Sequence, residues 1–95
     1  EQIIQAEYSD PLLSLSSIAD RLYISQGYLV RTFKEEFEQT VYQAILSRRL
    51  SKAQELIRKG NLIKSVYLDV GFRDYNTFLK AYKKRYQTLP SASKE

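Results

Sequence analysis

A pattern in the first half of the chain returns in the second. Leu15, Ile18, Ala19 and Leu22 align with Ile63, Val66, Tyr67 and Val70 at a constant offset of 48. After a short connection the offset becomes 49, and Leu29, Arg31, Phe33, Lys34 and Phe37 align with Phe78, Lys80, Tyr82, Lys83 and Tyr86. A single residue added in the turn accounts for the change. The apolar members recur at three- and four-residue intervals, as on one face of an α-helix. Each repeat therefore reads as a short helix, a tight turn and a longer helix with an exposed basic side. That is the helix-turn-helix plan, in which the second helix enters the major groove of DNA. Amphipathic spacing in an ordinary helical bundle would reproduce the four apolar positions cheaply. It would reproduce the Arg/Lys-x-aromatic-Lys tetrad far less readily.

Around this repeat the chain divides into about seven helical segments, an all-α architecture. The first, 2–8, stops at the Ser9-Asp10-Pro11 breaker. The second, 15–22, has Ser14 as N-cap, and the third, 26–37, is capped by Ser25. The fourth and longest, 40–59, carries Tyr42, Ile45, Leu46, Leu50, Ala53 and Ile57 as its apolar stripe and ends at Gly60-Asn61. The fifth, 63–70, closes at Gly71, the sixth, 74–86, starts from Asp74, and Pro90 opens a last short turn before a polar, fraying tail. The expected organisation is one domain, 1–95: two homeodomain-like helix-turn-helix subdomains, 1–39 and 60–95, joined by a linker helix, 40–59. Twenty residues of helix at 1.5 Å each span about 30 Å, close to the roughly 34 Å turn of B-DNA, so a rigid linker could hold two recognition helices in adjacent major grooves.

Composition narrows the chemistry. With neither cysteine nor histidine, disulfides and the usual zinc frameworks are excluded. The only paired carboxylates, Glu35 and Glu36, are adjacent on an exposed face without a partner, so no catalytic residues, metal or cofactor are expected. No apolar run approaches the roughly 20 residues of a membrane span, no signal peptide opens the chain, and a cytoplasmic location is expected. The chain starts at Glu1 and holds no methionine, which suggests a piece of a longer protein.

The net charge of +4 conceals an asymmetry. Residues 1–47 hold three basic groups against seven acids, whereas 48–95 hold twelve against four. A basic half implies an anionic partner, although a charge run is more often a solvated face. Two functions follow: sequence-specific binding of double-stranded DNA for transcription control, or a helical interaction module whose basic half docks an acidic protein.

Three stretches resemble the DNA-binding domain of the AraC/XylS family of bacterial transcription regulators. "LSSIADRLYISQGYLVRTFKEEF" (15–37) is similar to the family's first helix-turn-helix, "RLSKAQELI" (49–57) to its linker-helix signature, and "GFRDYNTFLKAYKKRY" with the following Leu89-Pro90 to its terminal signature. Tyr82 stands where Phe is usual, Leu89 where Thr is usual, and Tyr67 where the family has Ala. Glu38 and Gln87 replace glycines after each recognition helix, and Ser93 replaces an aromatic. The departures bear on how tightly the second subdomain and the C-terminus pack. The resemblance implies bacterial transcription regulation and RNA polymerase as a candidate further partner. It also implies an isolated domain that is monomeric, within a full-length protein dimerised through a missing domain.

The resemblance places Tyr75, Asn76, Thr77 and Lys80 at base-reading positions of the sixth segment. Their chemistry agrees in part, since Asn pairs with adenine, Lys donates to guanine and the Thr methyl packs on thymine. By helical angle, Tyr75 could close the core instead. Lys83, Lys84 and Arg85 fall later in the helix and suit phosphates. In the third segment the reading positions are Gly27, Val30 and Arg31, with Lys34 for phosphate. Gly27 offers no side chain and Val30 only an apolar contact, so this unit is expected to discriminate less. Ser16 and Ser65, at helix N-termini, are expected to meet backbone phosphates, and Arg49 to act as a structural tether.

Overall fold

The computed structural model describes residues 1–93, so the very end of the polar tail lies outside the described residues. Six α-helices follow one another: α1 (Gln2–Glu7), α2 (Leu15–Leu22), α3 (Gln26–Phe37), α4 (Val41–Arg58), α5 (Ile63–Asp69) and α6 (Tyr75–Tyr86). A 3-10 turn, Pro90–Ser93, makes the seventh segment, and there is no strand among the described residues.

Local chemistry starts the helices where the sequence predicts. Ser14 and Ser17 form a reciprocal capping box on α2, and Ser25 Oγ accepts from Tyr28 N–H at 3.1 Å on α3. Helix α4 begins one residue later than expected because Thr40 is its cap, paired with Gln43 in a second capping box. The Thr-x-x-Gln spacing was a readable signal for it. At the other end Gly60 takes the left-handed turn (φ 97°), while Asn61 donates its amide to Leu56 O at 2.9 Å.

The repeat seen in the sequence is present in the backbone, bond for bond. In the first turn Ile24 N–H donates to Ala19 O at 3.1 Å; 48 residues on, Phe72 N–H donates to Tyr67 O at 2.9 Å. The left-handed residue of that turn is Tyr23 in one unit (φ 57°) and Gly71 in the other (φ 108°). From the caps onward the offset is 49: Ser25 matches Asp74, and the helices close through left-handed Glu38 (φ 58°) and Gln87 (φ 59°). The added residue is Arg73, between the buried Phe72 and the cap.

Glu38 and Gln87 hold a conformation that costs an L-residue roughly 1–2 kcal/mol, against about 0.5–1 kcal/mol of extra unfolded-state entropy for glycine. Glu38→Gly and Gln87→Gly should each therefore stabilise the domain by about 0.5–1 kcal/mol. A thermal midpoint that stays level or falls in either variant would refute this account of the two closures.

Two apolar clusters lie along α4. Ile4, Leu13, Ile18, Ala19, Leu29 and Phe33 pack on its first half through Val41, Ala44 and Ile45. Val66, Val70, Phe72, Phe78 and Tyr82 pack on its second half through Leu50, Ala53 and Ile57. Three apolar expectations are corrected. Tyr42 is 63 % exposed and falls outside the α4 stripe, which Val41 and Ala44 complete instead. Leu22 is also exposed, at the last residue of α2, and it is Ile24 in the following turn that packs against the first cluster instead. Phe37 is the last residue of α3 and closes its cluster from the rim, with its ring 4.6 Å from Phe33.

Two of the departures in the second unit, Tyr67 and Tyr82, belong to one aromatic group. The Tyr67 ring meets Tyr75 edge-on at 5.3 Å and stacks on Phe78 at 6.2 Å, and Phe78 in turn contacts Phe72 and Tyr82. Phe78 and Tyr82 are fully buried, so a Tyr at position 67 is accommodated rather than loosening the unit. Its bulk is taken up at the N-terminus of α6.

Candidate nucleic-acid interface

Helix α6 is presented by its cap. Asp74 accepts from Thr77 N–H and from the Thr77 hydroxyl, each at 2.9 Å. These bonds to Thr77, backbone first, hold the carboxyl below its ordinary range, with a smaller contribution from Lys80. A lowered folded-state pKa stabilises the fold above the pH where the unfolded carboxyl ionises, and that stabilisation disappears as pH falls through the folded value. The thermal midpoints of wild type and Asp74→Asn should therefore converge as pH falls below about 4. A difference that stays constant from neutral to acid pH would be incompatible with a carboxylate cap.

Behind the cap, Asn76, Thr77, Lys80, Lys83, Lys84 and Arg85 are all exposed. Asn76, Lys80 and Lys84 recur every four residues and so share one face of the helix. Thr77 donates its hydroxyl proton to the cap, which leaves its methyl and the hydroxyl's acceptor oxygen to offer. Tyr75 is 40 % exposed, with its ring against Tyr67 and Phe78, so the helical-angle ambiguity resolves mainly towards the core edge.

Helix α3 presents the equivalent face through Gly27, Val30, Arg31 and Lys34, all exposed. The Arg31 guanidinium lies over the Tyr28 ring at 5.6 Å, and a side chain added at Gly27 would meet nothing within 4 Å. Glu35, Glu36 and Glu38 are exposed beside this face. Ser16 is exposed in the first turn of α2. Ser65 is arranged differently: its N–H and its hydroxyl both donate to Leu62 O, at 3.1 and 3.0 Å, so neither donor points outward.

Among the described residues, ion pairs join Arg21 to Glu7, and Lys52 and Lys59 to Glu55; none engages Arg31, Lys34, Lys80, Lys83, Lys84 or Arg85. The hydrogen bonds from Lys59 and Lys52 also hold the Glu55 carboxyl below its ordinary range. Among the described residues the basic side of α6 thus forms no ion pair, with Asp74 acting on Lys80 only at longer range, whereas Lys52 and Lys59 on and beside α4 are paired. Arg49 belongs to neither surface. It is 8 % exposed and donates to the backbone of Tyr8 and Asp10, as expected of a tether. Burial pulls its pKa down from the usual arginine value. No described helix is long and apolar enough to cross a membrane.

A family model described as "Helix-turn-helix domain" matches residues 18–95. The HTH-type transcriptional regulator CdhR of Pseudomonas aeruginosa is 29 % identical over 85 residues, covering 88 % of this chain and 25 % of that protein. The Msm operon regulatory protein of Streptococcus mutans is 30 % identical over 92 residues, covering 96 % of this chain and 33 % of its own length. The chain thus spans only a quarter to a third of these two relatives. Among solved structures, the C-terminal domain of the two-component response regulator yesN from Fusobacterium nucleatum superposes with a TM-score of 0.94 at 33 % identity, covering 99 % of this chain and 92 % of that one.

Proposed function

The chain belongs to the AraC/XylS-type helix-turn-helix family, and we propose on that premise that it is the DNA-binding domain of a bacterial transcription regulator, with α3 and α6 as its two recognition helices. One observation carries the proposal. The turn, cap and closure of α3 recur at α6, with the one residue Arg73 added between turn and cap, so two equivalent helices present exposed faces with the same register. The 18 residues of α4 span about 27 Å. The molecule is 43 Å along its longest axis, of the order of the roughly 34 Å between major-groove faces one helical turn apart. The division into 1–39, 40–59 and 60–95 is part of this proposal, supported by the two clusters meeting different halves of α4.

In this reading Asn76 and Lys80 read bases, with the Thr77 methyl against a thymine, while Lys83, Lys84 and Arg85 hold phosphates. Tyr75 serves chiefly to brace the first turn of α6. On α3, Arg31 is the base reader, Gly27 and Val30 supply close contact without hydrogen bonds, and Lys34 meets phosphate. Ser16 offers a further phosphate contact at the start of α2. The engaged donors of Ser65 favour its exposed neighbour Lys64 for that role in the second unit. The proposal assigns the chain no catalytic role and a cytoplasmic setting. RNA polymerase as a further partner, monomeric behaviour of this domain, and dimerisation through another domain rest on the family resemblance alone.

Selecting bound duplexes from a random pool and titrating the winner against salt tests the reading. A steep salt dependence with a retained sequence preference is expected. Lys80→Ala should relax specificity at one base pair at a cost of about 1–3 kcal/mol, whereas Lys84→Ala should weaken all sequences alike and reduce the salt slope by about 1. Equal, sequence-independent losses from both would remove Lys80 as a reader.

A further inference from the structure

Each unit packs on its own part of α4, with Ile45 ending the first cluster and the half-buried Leu46 already packed against the second. A bend or twist of the helix at that junction would turn one unit against the other without opening either cluster. Arg49 is the buried charged side chain about one turn past that junction, on the second unit's part of α4. Its Nε donates to Tyr8 O at 2.6 Å and its Nη2 to Asp10 O at 2.9 Å, both in the loop between α1 and α2. Its guanidinium also lies 5.8 Å from the centre of the Phe72 ring, in the turn of the second unit. Beside it Gly71 comes so close that an added Cβ would stand 2.7 Å from both Arg49 Nε and Tyr8 O. One cation therefore ties three segments: the loop of the first unit, the middle of α4, and the turn that aims α6.

We propose that Arg49 is a positioning residue that locks the two helix-turn-helix units at one mutual angle, and so sets the spacing between half-sites that the domain accepts. The inference rests on the DNA-binding reading given above. A planar guanidinium with donors along two directions holds two carbonyls in fixed relative places, which an ammonium group does less well. The burial of its charge is compensated only while both carbonyls stay in place, so movement between the units is opposed at this point. A side chain that merely filled space would stabilise the fold without choosing an angle.

The chain has no cysteine, so spin labels go only where cysteines are introduced, at the exposed positions Glu36→Cys on α3 and Asp69→Cys on α5. Arg49→Met keeps the apolar stem and removes both donors; Arg49→Lys keeps the charge. Without DNA, the label-to-label distance distribution should widen at least about twofold in Arg49→Met at unchanged helix content, with Arg49→Lys between it and wild type. On duplexes with the two half-sites moved apart by one base pair, wild type should lose about tenfold in affinity and Arg49→Met clearly less. An equally narrow distribution in Arg49→Met, or an equally steep dependence on spacing, would overturn the proposal. If Arg49→Met does not fold, Arg49→Lys decides on the same two measurements. Failure of the DNA reading itself would appear as wild type without sequence preference, whereas the label distances need no DNA.

Discussion

Gly71→Ala should destabilise the domain by about 3 kcal/mol, from roughly 1–3 kcal/mol of backbone strain and a similar cost of overpacking. The strain arises at φ 108°, which L-residues rarely adopt, and the overpacking from a Cβ 2.7 Å from Tyr8 O and 3.1 Å from Ser9 O. Both oxygens are backbone, so neither gives way as the end of a flexible side chain would. At about 4–8 °C per kcal/mol for a domain of this size, the thermal midpoint should fall by roughly 12–24 °C. Gly60→Ala supplies the control. Gly60 has a similar dihedral, φ 97°, but nothing within 4 Å of an added Cβ, so only the strain remains. Equal shifts in the two variants would show that the close approach between units contributes nothing. The first unit carries Tyr23 at the equivalent turn position, where the residue is 94 % exposed and so meets no such close approach.

Phe78→Ala should cost about 3–5 kcal/mol, the usual range for emptying a fully buried aromatic site. Phe78 is 0 % exposed, and its ring is within 5.3–6.3 Å of Phe72, Tyr82, Tyr67 and Tyr75. Its loss would open the whole aromatic group at once, Tyr75 at the start of α6 included. Because the two clusters are separate, the damage should be local. Hydrogen exchange should lose protection along α5 and α6 while Ile18, Ala19, Leu29 and Phe33 keep theirs. Simultaneous loss of protection in both units would mean that the domain unfolds as one cooperative body.

Much of the fold was legible because it is written in short-range chemistry. Ser14, Ser25 and Asp74 cap helices through bonds spanning three residues, and periodic apolar positions mark the buried faces without knowledge of neighbours. Thr40 could have been found by the same rule. The exposed polar faces of α3 and α6 were legible for the same reason, and so was the weaker chemistry of α3, since Gly27 and Val30 lack hydrogen-bonding side chains. Tyr75 was not. A helical angle at the border of two faces is settled only by what packs there, and what packs there is Tyr67, eight positions upstream on another helix.

The repeat, its shift from 48 to 49 and the two basic helices follow from the order of residues, because a helix, a turn and their caps close within a few residues of themselves. The exposure of Tyr42, the engaged donors of Ser65 and the seating of Arg49 on Tyr8 and Asp10 do not. Arg49 lies 41 and 39 residues from the carbonyls it holds, and no local pattern encodes a partner at that distance. The sequence shows that there are two units; packing across α4 determines how one is turned against the other, because their mutual angle is a property of contacts between segments far apart in the chain.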